Sequence, residues 1–220
     1  MDKLELTTGR LSRDVKEGGI TLIQISLQHP VIDGGGNSAA LELRHCFAQA
    51  AENIVTVLSQ NMLAEARAAA DFLPESLPYQ ISGTFTSTYN AHGVLSFFTD
   101  IFLYAGGLRG ITYRCGSSFL TADGGRALFL TALFPTGTDI REVITDFVAE
   151  VYRKRQGLEV LSESALSALR EFYSPENIYL TENGLVVFYQ SSTIAPVASG
   201  ISVFVMPYNT TGPFPPTELS

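Results

Sequence analysis

The chain has 220 residues, 45% of them hydrophobic and 16% charged, enough apolar material for one large core or two small ones and too much for disorder over most of its length. Its 22 acidic against 14 basic residues leave a formal charge of -8, which repels a phosphate backbone or an anionic bilayer and weighs against nucleic-acid binding. No stretch reaches the roughly 20 consecutive apolar residues of a membrane helix, and Met1 to Lys16 lacks the basic-then-apolar order of a signal peptide.

Residues 1–19 read as a polar lead-in. Ile20 to Leu27 alternates with period two, with Thr21, Ile23, Ile25 and Leu27 on the better core face, and predicts a strand. Pro30 and the triplet Gly34 to Gly36 break the chain ahead of Ser38, a good N-cap. From Ala39 to about Ala70 the spacing of Leu43, Phe47, Ala50, Ile54, Val57 and Leu58 predicts one long amphipathic helix, closed by Pro74 and Pro78. Tyr79 to Tyr89 and Val94 to Tyr104 flank Asn90-Ala91-His92-Gly93 as a β-hairpin requires. Gly106, Gly107 and Gly110 turn the chain into Ile111 to Leu120, and Ala122-Asp123-Gly124-Gly125 turns it into a short segment, Arg126 to Leu130. Together these predict an antiparallel meander.

Asp139 caps a second helix whose apolar positions Ile140, Val143, Ile144, Phe147, Val148 and Val151 suit a helix lying on a sheet. Its final Arg153, Lys154 and Arg155 read as a charge run complementing the helix dipole rather than as a binding patch. A shorter helix runs from Ser162 to Phe172 and ends at Ser174-Pro175. Asn177 to Pro207 then holds two strands joined by a glycine turn, an apolar Pro-containing loop and a third strand. The Pro-rich tail after Tyr208 is expected to be loosely held, and Asn209-Thr210-Thr211 is a weak match to a glycosylation sequon. The predicted class is α+β: an antiparallel sheet packed against a long N-terminal helix and one or two others, in two closely packed subdomains dividing near residue 90.

Chemistry is thinly represented. Cys46 and Cys115 form no CxxC pair and read as ordinary buried thiols. His29, His45 and His92 lie in different elements with no metal-binding spacing. Gly116-Ser117-Ser118 reads as small-residue strand packing, not a nucleophile elbow. The glycine runs Gly34 to Gly36 and Gly106 to Gly110 lack the lysine of a phosphate loop and read as turns. Asp139, Glu142, Asp146 and Glu150 form a solvated helix stripe. No catalytic residue, metal ligand or cofactor is assigned. One surface stands out: the loop Ser191 to Gly200 carries Ile194, Pro196 and Val197, which must pack on the sheet or meet a partner.

Several pieces in order carry a resemblance. These are Tyr104-Ala105-Gly106-Gly107 before a Tyr-containing strand, Asp123-Gly124 before Leu130-Thr131-Ala132-Leu133-Phe134, Phe172-Tyr173 ahead of Asn177-Ile178-Tyr179-Leu180-Thr181, Gly184-Leu185, Ile194-Ala195-Pro196, and the closing Met206-Pro207-Tyr208. With them, Val94 to Tyr208 resembles the RsiV-like C-terminal domain of unknown function, found in an anti-sigma factor, in the N-terminal region of a peptidoglycan deacetylase and in bacterial lipoproteins. Residues 20–90 are similar to the smaller PdaC-like domain that precedes it, which leaves 91–208 as the RsiV-like domain and 209–220 as tail. Two positions depart from the family pattern: Leu108-Arg109 follows the glycine pair where a His is usual, and Val197 follows Ala-Pro where an aromatic is usual.

The resemblance implies a non-enzymatic, envelope-associated binding or sensing module for a lysozyme or a peptidoglycan fragment, docking on loops that include Leu108, Arg109, Ile194, Pro196 and Val197. It also implies an extracytoplasmic location, whereas the chain taken literally reads as cytoplasmic, and the sequence leaves the location open between the two. The other readings are an accessory domain of a cell-wall glycan-modifying enzyme, or a glycan hydrolase whose carboxylates have no assigned positions.

Overall fold

The computed structural model of the protein describes residues 3–33, 38–121 and 125–219, apart from the side chains of Ser38, Ala39 and Glu218. The predicted turns over Gly34 to Gly36 and Ala122 to Gly124, and the Ser38 side chain as a cap, lie outside the described residues.

The fold is α+β. Six strands, β1 (Leu6–Glu17), β2 (Ile20–Ile32), β3 (Tyr79–Ala91), β4 (Val94–Tyr104), β5 (Ile111–Leu120) and β6 (Arg126–Ala127), lie side by side in sequence order. All pairs are antiparallel except β2 and β3, which run parallel in a sheet otherwise expected to be antiparallel. The cause is α1 (Ser38–Phe72), which carries the chain back across the sheet between them.

Residues 6–17, expected as lead-in, form edge strand β1. Its Leu11 and Val15 pack on the core while Arg10, Arg13, Asp14 and Lys16 are exposed, so its apolar positions are too sparse to show as alternation. Strand β2 continues through Pro30 to Ile32 instead of breaking there. Its pairing with β3 covers only Ile23 to Leu27, so the N–H that proline lacks has no strand to serve on that side. The β3–β4 loop shortens to His92-Gly93, both at positive φ (51° and 73°), the signature of a type I′ turn. Asn90 and Ala91 join the ladder opposite Leu95 and Val94. The expected division near residue 90 thus falls on a two-residue turn inside one continuous sheet.

Strand β4 organises both faces. Leu95, Phe97 and Ile101 face α1, where they meet Phe47, Leu43, Val55 and Ala66 in two adjoining apolar clusters. Ser96, Phe98 and Asp100, the alternate residues, face a second sheet of β7 (Ile178–Thr181), β8 (Gly184–Tyr189) and β9 (Ser202–Met206). Helices α2 (Ile140–Gln156) and α3 (Glu163–Glu171) complete that layer, with Ile144, Val148 and Leu169 packed among Leu185, Val187 and Phe204. Asp139 caps α2 by accepting from the Glu142 N–H at 3.0 Å, and Ser162 caps α3 by accepting from the Ala165 N–H at 3.2 Å.

All three basic residues at the end of α2 are engaged. Arg153 forks onto Glu150 at 2.8 and 2.9 Å, Lys154 pairs with the same carboxylate at 3.1 Å, and Arg155 donates to the Val203 carbonyl at 2.8 Å. Hydrogen bonds from Arg153 and then Lys154 draw the Glu150 carboxyl down to about 2.

Two expectations need correction. The tail is docked, not loose: Gly212, Pro213 and Pro216 are buried, Phe214 N–H donates to the Leu133 carbonyl at 2.7 Å, and Leu219 packs on the main core. Asn209 closes an Asx turn by accepting from Thr211 N–H at 2.8 Å, and proline-rich chain loses little entropy on ordering. Cys46 and Cys115 are free and exposed, not buried. Cys46 lies on the flank of α1 that the sheet leaves uncovered, and Cys115 faces an open groove beside Asn53, Ile54 and Val57 of α1.

Candidate functional site

The second sheet meets the first across β5, at the side chains least able to keep it away. Gly116 passes directly beneath the Ile178 carbonyl, where a Cβ would lie 1.7 Å from the oxygen. Beside it the fully buried Ser96 accepts from the Leu180 N–H at 2.8 Å, while its Oγ lies 2.8 Å from Ser118 Oγ and 3.2 Å from the Ser117 carbonyl. The stretch Gly116-Ser117-Ser118 therefore does pack as small residues, and it seats β7.

Two residues before Gly116, Arg114 is held on three sides. Its guanidinium forks onto Asp100, Nε to Oδ1 and Nη2 to Oδ2 both at 2.7 Å, and lies 3.7 Å from the centre of the Phe98 ring, with Tyr179 beyond at 6.0 Å. Desolvation opposes the guanidinium's charge, but the Asp100 bonds outweigh it and the net shift of Arg114 is upward. Burial pushes the Tyr179 phenol up, against the lowering pull of Arg114. The Arg114 backbone is taken by Gln190, just past β8: Arg114 N–H donates to Oε1 at 3.0 Å and the carbonyl accepts from Nε2 at 2.7 Å.

Gln190 opens the loop to β9, and this loop is fastened at its base. Thr193 Oγ1 donates to the Gln190 carbonyl at 2.7 Å, and Tyr152 of α2 donates to the Ile194 carbonyl at 3.0 Å. Between this loop and the start of β5 opens a cleft of about 770 Å³, lined by Arg109, Thr112, Tyr113, Gln190, Val197 and Ile201 among others. Its chemistry is two arginines, of which Arg114 is already paired with Asp100, with hydroxyls, a carboxamide, and a phenol ring set among aliphatic side chains.

The five residues expected to bind are distributed unevenly around it. Arg109 and Val197 line the cleft from opposite sides. Leu108 is fully exposed at the adjoining tip and Pro196 is exposed on the loop. Ile194 is half-buried on the main core and anchors the loop from within. Thr112, Tyr113, Gln190 and Ile201 went unread in the sequence. An exposed tyrosine in a strand was the one signal available, while Gln190 becomes visible only once its register against Arg114 is known. The histidines do not converge: His45 is exposed on α1, His29 sits in β2, and His92 Nδ1 lies 2.7 Å from the Tyr89 hydroxyl in the β3–β4 turn.

Residues 131–209 match the family described as "Protein of unknown function (DUF3298)". No curated protein matches the chain. Among solved structures, a member of the DUF3298 family from Bacteroides fragilis aligns with a TM-score of 0.63 and 18% identity, covering 94% of this chain and 91% of its own. A DUF3298 family protein from Pseudomonas aeruginosa aligns at 0.60 and 14%, covering 92% of this chain and 91% of its own. At such identities the likeness establishes a shared fold, which here includes the six-stranded sheet and α1 as well as the matched segment.

Proposed function

We propose that the protein is a non-catalytic binding module of the bacterial cell envelope that takes a lysozyme or a peptidoglycan fragment at the cleft between β5 and the Gln190–Ile201 loop. The observation that carries this reading is the convergence of Arg109 and Val197, far apart in sequence, on one cleft. A half-exposed tyrosine ring offers a sugar a stacking face, Arg109 offers a carboxylate a planar partner, and Ser191 and Ser192 offer hydroxyls. Binding to such a surface requires no proton transfer. The formal charge of -8 would draw a basic partner protein at long range.

Calorimetric titration with a lysozyme and, separately, with a disaccharide-tetrapeptide from peptidoglycan tests this. At least one is expected to bind, and Arg109→Ala and Val197→Asp should each weaken it about tenfold, or about 1.4 kcal/mol. Absence of heat from both ligands at high micromolar protein would end the proposal.

A further inference from the structure

We infer that the outer edge of β5, centred on Thr112, is a strand-addition site that an extended peptide segment of the partner completes; this rests on the cleft being the recognition surface. In an antiparallel ladder, residues alternate between turning their backbone groups toward one neighbour and toward the other. Arg114 turns both of its groups away from β4, since Gln190 takes them, and the Ser118 carbonyl on the same side accepts from the Leu128 N–H at 2.8 Å. Thr112, in phase with these two, turns its N–H and carbonyl outward as well. Among the described residues neither group has a partner there, and Thr112 lies in the cleft wall.

The Gln190 carboxamide stands in for the N–H and C=O of one residue of a missing strand. It makes with Arg114 the two bonds a neighbouring chain would make, in the same orientation. Strand β6 covers β5 only at Phe119 and Leu120, so the edge ahead of Gly116 is served by Gln190 alone among the described residues.

The space on both sides of this edge matches the alternation of a strand. On one face lies the cleft, with Val197 44% exposed. On the other lies an apolar groove of about 590 Å³, bounded by Ile54 and Val57 of α1, Ile101, Leu103 and Cys115, and the two cavities meet at Tyr113. Successive side chains of an added strand would drop into one cavity and then the other. They would cover Ile111, Tyr113 and Val57, which are 54%, 44% and 54% exposed. The groove is lined by neutral groups and suits apolar residues, while Arg109 at the cleft suits an acidic residue on the other face. The edge itself is unguarded. The opposite edge of the sheet, β1, bears Arg10, Arg13, Asp14 and Lys16, whereas from Ile111 to Gly116 the single charge is Arg114, already paired with Asp100.

The probe is a blocked hexapeptide, acetyl-Thr-Val-Glu-Val-Thr-Val-amide, at millimolar concentration, followed by amide NMR of the full chain. The Thr112 N–H should shift and exchange at least tenfold more slowly, and the Gln190 carboxamide signals should move as it is displaced. Thr112→Pro removes the outward N–H while sparing the ladder to β4, and should abolish the effect, whereas Thr112→Ser should keep it. Should proline disturb β5, the same hexapeptide N-methylated at its two threonines and its glutamate, which share a face with Thr112 and so turn their N–H groups toward it, serves with the unaltered protein, and its failure to bind is the expected result. An unperturbed Thr112 amide, or equal binding by the methylated peptide, overturns strand addition. Lysozyme or peptidoglycan binding that Arg109→Ala weakens and Thr112→Pro leaves intact would also overturn it, while keeping the cleft as the recognition site.

Discussion

Gly116→Ala is expected to destabilise the protein by about 3 kcal/mol or more, beyond the usual range for one added methyl group. The new Cβ would lie 1.7 Å from the Ile178 oxygen and 2.7 Å from its carbonyl carbon, both backbone atoms of β7, so no rotamer change relieves the contact. Either strand that gives way pulls Leu180 N–H off Ser96 Oγ at 2.8 Å, leaving a buried donor unpaired. Gly107→Ala is the control. Its Cβ would meet nothing within 4 Å, and its effect should stay within about 0.5 kcal/mol. Urea denaturation measures both, and equal midpoints for the two variants would contradict the packing described.

Asp100→Ala is the second large effect, at about 2 kcal/mol. Removing one partner of a buried ion pair costs about 3 to 5 kcal/mol when both are fully dry. Here the side chains of Arg114 and Asp100 are 14% and 27% exposed, and solvent relieves part of the loss. The guanidinium would remain 3.7 Å from the Phe98 ring without its counter-charge. Adding Arg114→Met to Asp100→Ala should therefore restore stability rather than reduce it further. Gln190 bonds to the Arg114 backbone and not to its side chain, so the cleft wall should survive in the double variant. A double variant less stable than Asp100→Ala, by denaturant titration, would show that Arg114 contributes chiefly by packing.

The elements that sequence pattern revealed are those in which one face is strongly apolar. Helix α2 and the β3–β4 hairpin belong to this group, as do β7, β8 and β9 around their loop. Strand β1 escaped because an edge strand with charged residues carries a weak period, and its partner β2 supplies most of the burial. The parallel pairing of β2 with β3 depends on where α1 delivers the chain, which no local window contains. The docking of the tail depends on the Leu133 carbonyl and the surface around Phe134, remote in sequence from Phe214.

The candidate site divides the same way. Leu108, Arg109, Ile194, Pro196 and Val197 were legible as loop residues, two loops being picked out by glycine content and by exposed apolar side chains. Their relation to each other was not. It is set by the seating of β7 on Gly116 and by the Gln190 clasp on Arg114, both of which are register facts. Thr112 and Tyr113 gain meaning only when β5 is known to be an edge for its first half.

Recognition between β5 and the loop after β8, as proposed, would leave its footprint on the amides of those two segments. Amide hydrogen exchange with and without a saturating lysozyme or peptidoglycan fragment tests it most directly. Slowed exchange concentrated in residues 109–114 and 190–201 is the predicted result. Protection confined to α2, to the β1 edge or to the docked tail, with those two segments unchanged, would contradict it.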